Sequence, residues 1–121
     1  NFAYSDLHLV ESVASIEDLK RGERVEVVVT IENTGSVVGA EVAQLYIKDM
    51  ESSVVRRVKE LKAFQKIWLE PGERKKITFY LGQDELSIWD SNMRFNLERG
   101  NVQLMVGTSS LDNQAIMLKL Q

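Results

Sequence analysis

Apolar and polar residues alternate along much of this chain, a pattern typical of strands with one buried face and one solvated face. The alternation is clearest from Glu23 to Glu32. The side chains expected to face inward there are Val25, Val27, Val29 and Ile31. We predict a half-buried strand that ends at Asn33-Thr34-Gly35, because these residues tolerate positive φ or hydrogen-bond within turns.

Three further segments repeat the pattern. Glu41 to Lys48 has apolar residues on both faces, which predicts a strand in the middle of a sheet. Leu61 to Leu69 and Arg74 to Leu81 flank Glu70-Pro71-Gly72-Glu73, where proline presets φ and glycine takes the strained central position of a turn. We predict that these two strands form a hairpin.

The remaining segments add shorter strands. The pattern is weak in Leu86 to Asp90 and Met93 to Leu97, and clear in Val102 to Val106 and Ile116 to Leu120. Leu7 and Leu9 open the chain in the same manner, and Gly107-Thr108-Ser109-Ser110 is expected to form a polar corner. About seven or eight strands without a long amphipathic helix predict an antiparallel β-sandwich.

Two segments fit a helical turn. They are Val37 to Val42 and Asp84 to Trp89, and neither is long enough for the crossover of a parallel βαβ unit.

Composition and charge narrow the classes of function. A chain of 121 residues is expected to form one domain. Its 15 basic and 18 acidic residues give a net charge of −3, which argues against nucleic acid as a partner. It has no cysteine for a disulfide or thiolate metal site, and no apolar run of about 20 residues for a membrane span. It begins at Asn1 without methionine, which suggests a processed product or part of a longer protein.

Four blocks of the sequence resemble a known family in the same order. They are Glu41 to Ile47, Arg56 to Glu73, Leu86 to Asp90 and Val106 to Ser110. The chain resembles the fibronectin type III-like domain that closes many β-glucosidases and β-xylosidases of glycoside hydrolase family 3. The resemblance covers essentially all 121 residues, and Phe2-Ala3-Tyr4-Ser5 resembles the entry into that domain.

The resemblance has two departures and clear implications. The family commonly has proline where Arg57 stands and glycine where Ala63 stands.

The resemblance implies an immunoglobulin or fibronectin type III-like sandwich over residues 1–121, from the C-terminal part of a glycosidase. The catalytic carboxylates of such enzymes lie in other domains, so the resemblance implies no catalytic residue, cofactor or metal in this chain. It implies the catalytic domains of the same polypeptide, or a neighbouring subunit, as partners. From the charge and the short apolar runs, we expect no nucleic-acid or membrane partner.

The acidic residues and the single histidine give no independent sign of catalysis. Glycoside hydrolysis needs two carboxyl groups about 5 to 9 Å apart. Asp49 with Glu51, Asp84 with Glu85, and Asp90 with Asp112 are the candidate pairs. We interpret them as solvated or capping residues of turns. His8 is interpreted as a surface or edge residue, because the sequence supplies no group to orient it.

A basic segment is the main candidate for a contact surface. Its residues are Arg56, Arg57, Lys59, Glu60 and Lys62. Guanidinium and ammonium groups pair well with carboxylates, so this segment could dock the domain onto its catalytic domains or onto a neighbouring subunit. A solvated loop face is the alternative, because exposed charge runs contribute little individually.

Exposed aromatics raise a second hypothesis, that of a carbohydrate-binding module. Sugar rings stack on exposed indole and phenol faces. The candidates are Trp68 and Trp89, with Tyr46 and Tyr80 beside them. Against it, large aromatics are buried on average, and Trp68 shares its strand with Phe64, Ile67 and Leu69, which its indole could cover. A free-standing adhesion or interaction module with the same sandwich is a third reading.

Overall fold

The computed structural model describes residues 1–50, 59–89 and 92–121. Within this part of the chain, strands alternate with two short helices. The elements in order are β1 Phe2–Leu9, β2 Val13–Ala14, α1 Ile16–Lys20, β3 Val25–Asn33, β4 Gly39–Asp49, β5 Glu60–Leu69, β6 Arg74–Leu81, α2 Gln83–Leu86, β7 Ile88–Trp89, β8 Phe95–Asn96, β9 Gly100–Gly107 and β10 Asn113–Leu120.

The strands form two main sheets. One sheet has three strands in the order β1-β3-β6, and the other has five in the order β2-β10-β9-β4-β5. Every neighbouring pair is antiparallel except β2 with β10. The strands β7 and β8 pair as a separate ribbon. The predicted antiparallel β-sandwich is confirmed.

The predicted alternation builds the core between the two sheets. Val25, Val27, Val29 and Ile31 are all buried on β3, where they meet inward residues of the opposite sheet. The side chains with the least exposure include Phe79, Leu45 and Leu104. The predicted central position of β4 is also confirmed, because it pairs with β5 on one side and β9 on the other.

The predicted hairpin between Leu61 to Leu69 and Arg74 to Leu81 is wrong. β5 pairs with β4 in the five-stranded sheet, whereas β6 pairs with β3 in the three-stranded sheet. The turn itself is present: Glu73 N–H donates to the Glu70 carbonyl oxygen at 2.9 Å, and Gly72 has a φ of 80°. A turn reverses the chain without fixing which sheet the next strand joins. Here it carries the chain from one layer to the other.

A buried asparagine holds this turn against the end of β3. The Asn33 side-chain nitrogen donates to the carbonyl oxygens of Val37 and Leu69, both at 2.9 Å. Its side-chain oxygen accepts from Gly35 N–H at 2.9 Å, and its backbone oxygen accepts from Gly72 N–H at 2.8 Å. The predicted turn at Asn33-Thr34-Gly35 is therefore also a junction between strands.

The two helices are short. The helical turn predicted in Asp84 to Trp89 is confirmed as α2, which begins one residue earlier, at Gln83. The helical turn predicted in Val37 to Val42 is wrong, because β4 begins at Gly39. α1 was not predicted; the Ser15 hydroxyl accepts from Asp18 N–H at 3.3 Å and caps it. No helix in the described ranges is long and apolar enough to cross a membrane.

β5 is an edge strand with an irregular pairing. Its register with β4 shifts between Ala63, opposite Leu45, and Leu61, opposite Tyr46. The extra residue, Lys62, makes this a β-bulge. The Gln65 side-chain nitrogen donates to the Thr78 carbonyl oxygen of β6 at 2.6 Å, so a side chain links the edges of the two sheets.

A second polar contact joins the sheets near the start of the chain. The Tyr4 hydroxyl of β1 donates to the Glu41 carboxylate of β4 at 2.8 Å. Burial and this hydrogen bond raise the pKa of the Tyr4 phenol above its ordinary value of 10.0. The neutral phenol is therefore the form that stabilises the fold.

Replacing Tyr4 with phenylalanine should lower the free energy of unfolding by about 1 to 2 kcal/mol at pH 7. The difference from the unchanged chain should shrink as the pH rises above about 10, because the phenol then ionises in the unfolded chain while the folded state holds it neutral. Urea unfolding from pH 7 to pH 11 measures this difference. Tyr80→Phe, at an exposed position, is the matched control, and a Tyr4 difference that persists unchanged at pH 11 would contradict the assignment.

Candidate docking surface

The predicted basic segment is described only in part. Arg56 and Arg57 lie outside the described residues. Lys59 precedes β5, and its Nζ donates to the Ser110 carbonyl oxygen at 2.6 Å. This exposed lysine therefore ties the start of β5 to the polar corner between β9 and β10.

Lys62 connects the basic segment to an aromatic pair. Its Nζ lies 3.3 Å from Glu60 Oε2 and 5.7 Å from the centre of the Phe95 ring. Phe95 contacts Trp89 across the β7–β8 ribbon, with ring centroids 5.3 Å apart and planes at 46°. The structure thus brings together two predicted docking residues, Glu60 and Lys62, and one predicted stacking residue, Trp89.

Trp68 lies on the outward side of β5, whereas its neighbours Ile67 and Leu69 point into the core. The indole is 64% exposed, and Lys66 Nζ lies 5.5 Å from the centre of the ring. Tyr80 is also exposed, but it belongs to β6 on the other sheet. The aromatic candidates are thus divided among different sheets and do not form one platform.

The outward positions of β4, β5, β9 and β10 form a surface that we call the apolar face. The register sets Leu61, Tyr46, Met105 and Ala115 in one row across the four strands, whereas Val42 and Trp68 lie beyond the part of β4 that pairs with β9. Its exposed apolar side chains are Val42, Leu61, Phe64, Trp68, Ala115 and Met117. Of the sequence-predicted stacking candidates, Trp68 and the half-buried Tyr46 lie on this face. Alternation relative to the core residues Ile67 and Leu69 could also have placed Phe64 on this face.

The outward side of the three-stranded sheet is different. Its charged residues carry both signs: Glu26 and Glu32 lie on β3, and Arg74 and Lys76 lie on β6. The Arg74 side chain bonds to the Glu32 carboxylate at 3.2 Å. This surface is typical of a solvated sheet face.

The candidate carboxylates lie at separate places in the fold, and Glu85 has a local structural role. Glu85 Oε1 accepts from Gly82 N–H at 2.7 Å and caps α2. Asp49 is buried at the end of β4 and Asp112 is exposed, while Glu51 and Asp90 lie outside the described residues. His8 lies on the edge strand β1, where Nδ1 is 2.9 Å from the Asp6 carbonyl oxygen. Within the described ranges, no three His, Cys, Asp or Glu side chains cluster as a metal site.

The described part of the chain is thus a two-layer antiparallel sandwich with several apolar side chains exposed on one outer side. The model of the fibronectin type III-like domain family matches residues 41–110. The chain belongs to this family, which confirms the resemblance found in its sequence.

Relatives of the chain are much longer proteins. It is 42% identical over its whole length to 15% of a putative β-xylosidase from Formosa agariphila. Over 92% of its length it is 36% identical to 14% of thermostable β-glucosidase B from Acetivibrio thermocellus. A solved β-glucosidase structure from Erythrobacter marinus superposes on the whole chain with a TM-score of 0.87 at 31% identity, and 15% of that chain is covered. The chain thus spans about one-seventh of the length of these relatives.

Proposed function

We propose that this chain is a non-catalytic accessory domain of a family 3 glycoside hydrolase, in which it stabilises and orients the catalytic domains. The observation that carries the proposal is that the whole chain corresponds to a small part of proteins named as β-glucosidases and β-xylosidases. The catalytic domains of the same polypeptide are its partners, and hydrolysis of O-glycosyl bonds belongs to them.

The polar chemistry of the domain is consistent with this role. Glycosidases hold two carboxyl groups about 5 to 9 Å apart on either side of a sugar. The carboxylates of Glu32 and Glu85 instead bind Arg74 and a helix N-terminus, and Glu73 Oε1 accepts from Glu70 N–H at 2.8 Å. These groups stabilise the sandwich.

A rigid sandwich can stabilise larger domains by covering part of their surface. Contacts between domains of one chain bury about 600 to 1,500 Å², and small movements at such contacts change how the domains face each other. The basic segment from Arg56 to Lys62 is one proposed contact. Lys59 and Lys62 orient its described end through Ser110 and Phe95.

The proposal predicts different behaviour for the parent enzyme and for the isolated chain. Removing residues 1–121 from the parent should lower its melting temperature and its rate of aryl glycoside hydrolysis, because the catalytic domains lose a stabilising contact. The isolated chain should fold but not hydrolyse the same substrates. Calorimetry and a chromogenic assay measure these effects. A truncated parent with unchanged stability and turnover, or a hydrolytic isolated chain, would overturn the proposal.

Carbohydrate binding is the second candidate, favoured by the exposed pair Trp89 and Phe95. The same preparation of the isolated chain distinguishes the two candidates. An accessory domain is expected to keep its tryptophan fluorescence unchanged when cello-oligosaccharides are added. A saturable change that is lost in Trp89→Ala but kept in Trp68→Ala would favour a sugar site at the β7–β8 ribbon.

A further inference from the structure

We infer that the apolar face docks the domain onto an apolar surface, rimmed by carboxylates, in the remainder of its own polypeptide. This inference rests on the proposed accessory function and adds which side of the sandwich makes the contact and what chemistry it meets.

The first argument is exposed apolar area. Phe64 is 67% exposed and Trp68 64% exposed, and both stand on the outward side of β5. The row from Leu61 through Tyr46 and Met105 to Ala115 extends about 14 Å across four strands. Trp68 lies about 20 Å further along β5, where β4 is the only neighbouring strand in the described sheet. Exposed apolar patches of a few hundred square ångströms mark contact sites, and Trp and Phe each bury about 150 to 250 Å² when covered.

The second argument is charge. The charged residues at the outward positions of β4, β5, β9 and β10 are Lys48, Lys66 and Lys119, and these described positions include no Asp or Glu. The chain as a whole carries a charge of −3, so this face differs in sign from the rest of the molecule. Complementary charge directs docking and excludes wrong partners, so the opposing surface is expected to be acidic at its rim.

The third argument concerns the occupant. About six-sevenths of each relative lies outside the region matched by this chain, which supplies a large covalently linked surface. A linked partner has a high effective concentration and needs few contacts to remain docked. A second copy of the chain fits less well, because two apolar faces in contact would bring lysines together without carboxylates to offset them.

Hydroxyl-radical footprinting with mass spectrometry tests the inference on the parent enzyme and on the isolated chain. Oxidation of Phe64 and Trp68 should be at least about fivefold slower in the parent, as expected when mostly exposed side chains become buried. Tyr80, 54% exposed on the opposite sheet, is the internal control and should react equally in both. Equal oxidation of Phe64 and Trp68 in both proteins would overturn the inference.

Charge reversal provides matched variants. Lys66→Glu on the apolar face should reduce the protection of Phe64 in the parent, whereas Lys76→Glu on the opposite sheet should leave it unchanged. If Phe64 remains fully protected from oxidation in both variants, the proposed acidic rim of the opposing surface is wrong. Protection that appears in the isolated chain at high concentration, with dimers in analytical ultracentrifugation, would assign the face to a second copy instead.

Melting temperatures of variants of the parent enzyme distinguish failure of this inference from failure of the proposed function. Phe64→Ser with Trp68→Ser should lower the melting temperature of the parent towards that of the truncated parent, with Tyr80→Ser as the control. If truncation destabilises the parent and the double variant does not, the accessory function stands and the assigned face is wrong. If truncation has no effect, the accessory function itself fails.

Discussion

Replacing Asn33 with alanine is expected to lower the free energy of unfolding by about 3 kcal/mol, because buried polar groups left without partners cost about 1 to 3 kcal/mol each. The buried Leu69 carbonyl oxygen would lose its donor, and the partly buried hydrogen bonds to Val37 and Gly35 would be lost with it. Urea unfolding measures the loss. The neighbouring exposed variant Thr34→Ala should change stability by less than about 0.5 kcal/mol.

An isosteric variant makes the test more specific. Asn33→Asp keeps an acceptor for Gly35 N–H but presents a carboxylate to two carbonyl oxygens. Burial raises the pKa of such a carboxyl in the folded chain above its unfolded value of about 3.9. Below about pH 4 the protonated form can donate one hydrogen bond, and this stabilisation is lost as the pH rises through the folded pKa. The loss in free energy of unfolding caused by Asn33→Asp should therefore be larger at pH 7 than at pH 4. An equal cost at both would show that the side-chain donor contributes little.

Replacing Gly107 with alanine is the second large effect, expected to cost about 3 kcal/mol, the upper end of the usual range for overpacking. A Cβ at this position would lie 2.2 Å from the Asp112 carbonyl oxygen and 2.5 Å from the Asn113 Cα. Both are backbone atoms, so the corner between β9 and β10 would have to open. Gly107 belongs to one of the blocks that resemble the family, and this close approach explains why glycine is needed there.

Gly39→Ala is the matched control for this prediction. Its Cβ would meet only the far end of the Phe2 ring, at 3.3 Å, and a side chain can move by a few tenths of an ångström. Thermal unfolding should therefore separate the two variants clearly, with Gly39→Ala within about 1 kcal/mol of the unchanged chain. Similar losses in both variants would contradict the backbone clash.

The sequence predicts the strands well because alternation with period two is a direct consequence of one face being buried. Val25 to Ile31 and Ala43 to Ile47 show this on β3 and β4, where the inward positions are the buried ones. The resemblance adds the arrangement of the strands in a fibronectin type III-like sandwich, which the periodicity of a single strand does not contain.

Other features depend on tertiary contacts, so the local sequence pattern does not predict them. The turn at Pro71-Gly72 was correctly predicted, but its role as a crossing between layers follows from the pairing of β6 with β3. α1 is five residues long, too short to show helical periodicity, and only the cap at Ser15 and Asp18 signals it. The junction role of Asn33 depends on Leu69, which is distant in sequence.

The candidate docking surface is likewise only partly predicted by the sequence. The sequence identifies Lys62 and Trp89 as separate candidates, and only folding brings them together, through Phe95. The sequence also predicts Trp68 as a sugar-stacking candidate, but it does not show which side chains of other strands lie beside it. The apolar face becomes visible only in the sheet order β10-β9-β4-β5, since side chains from four strands then lie on one outer side of the sheet.

The irregular edge at β5 bears on aggregation. A straight edge strand offers a row of free backbone groups to any other strand, and the exposed Phe64 and Trp68 make such addition more favourable here. The bulge at Lys62 breaks the regular spacing of those groups, and the Gln65 side chain ties the edge to β6. An incoming strand therefore meets an interrupted ladder of backbone groups at this edge. The bulge and the Gln65 contact therefore disfavour the addition of a further strand at β5, even though this strand carries exposed aromatic side chains.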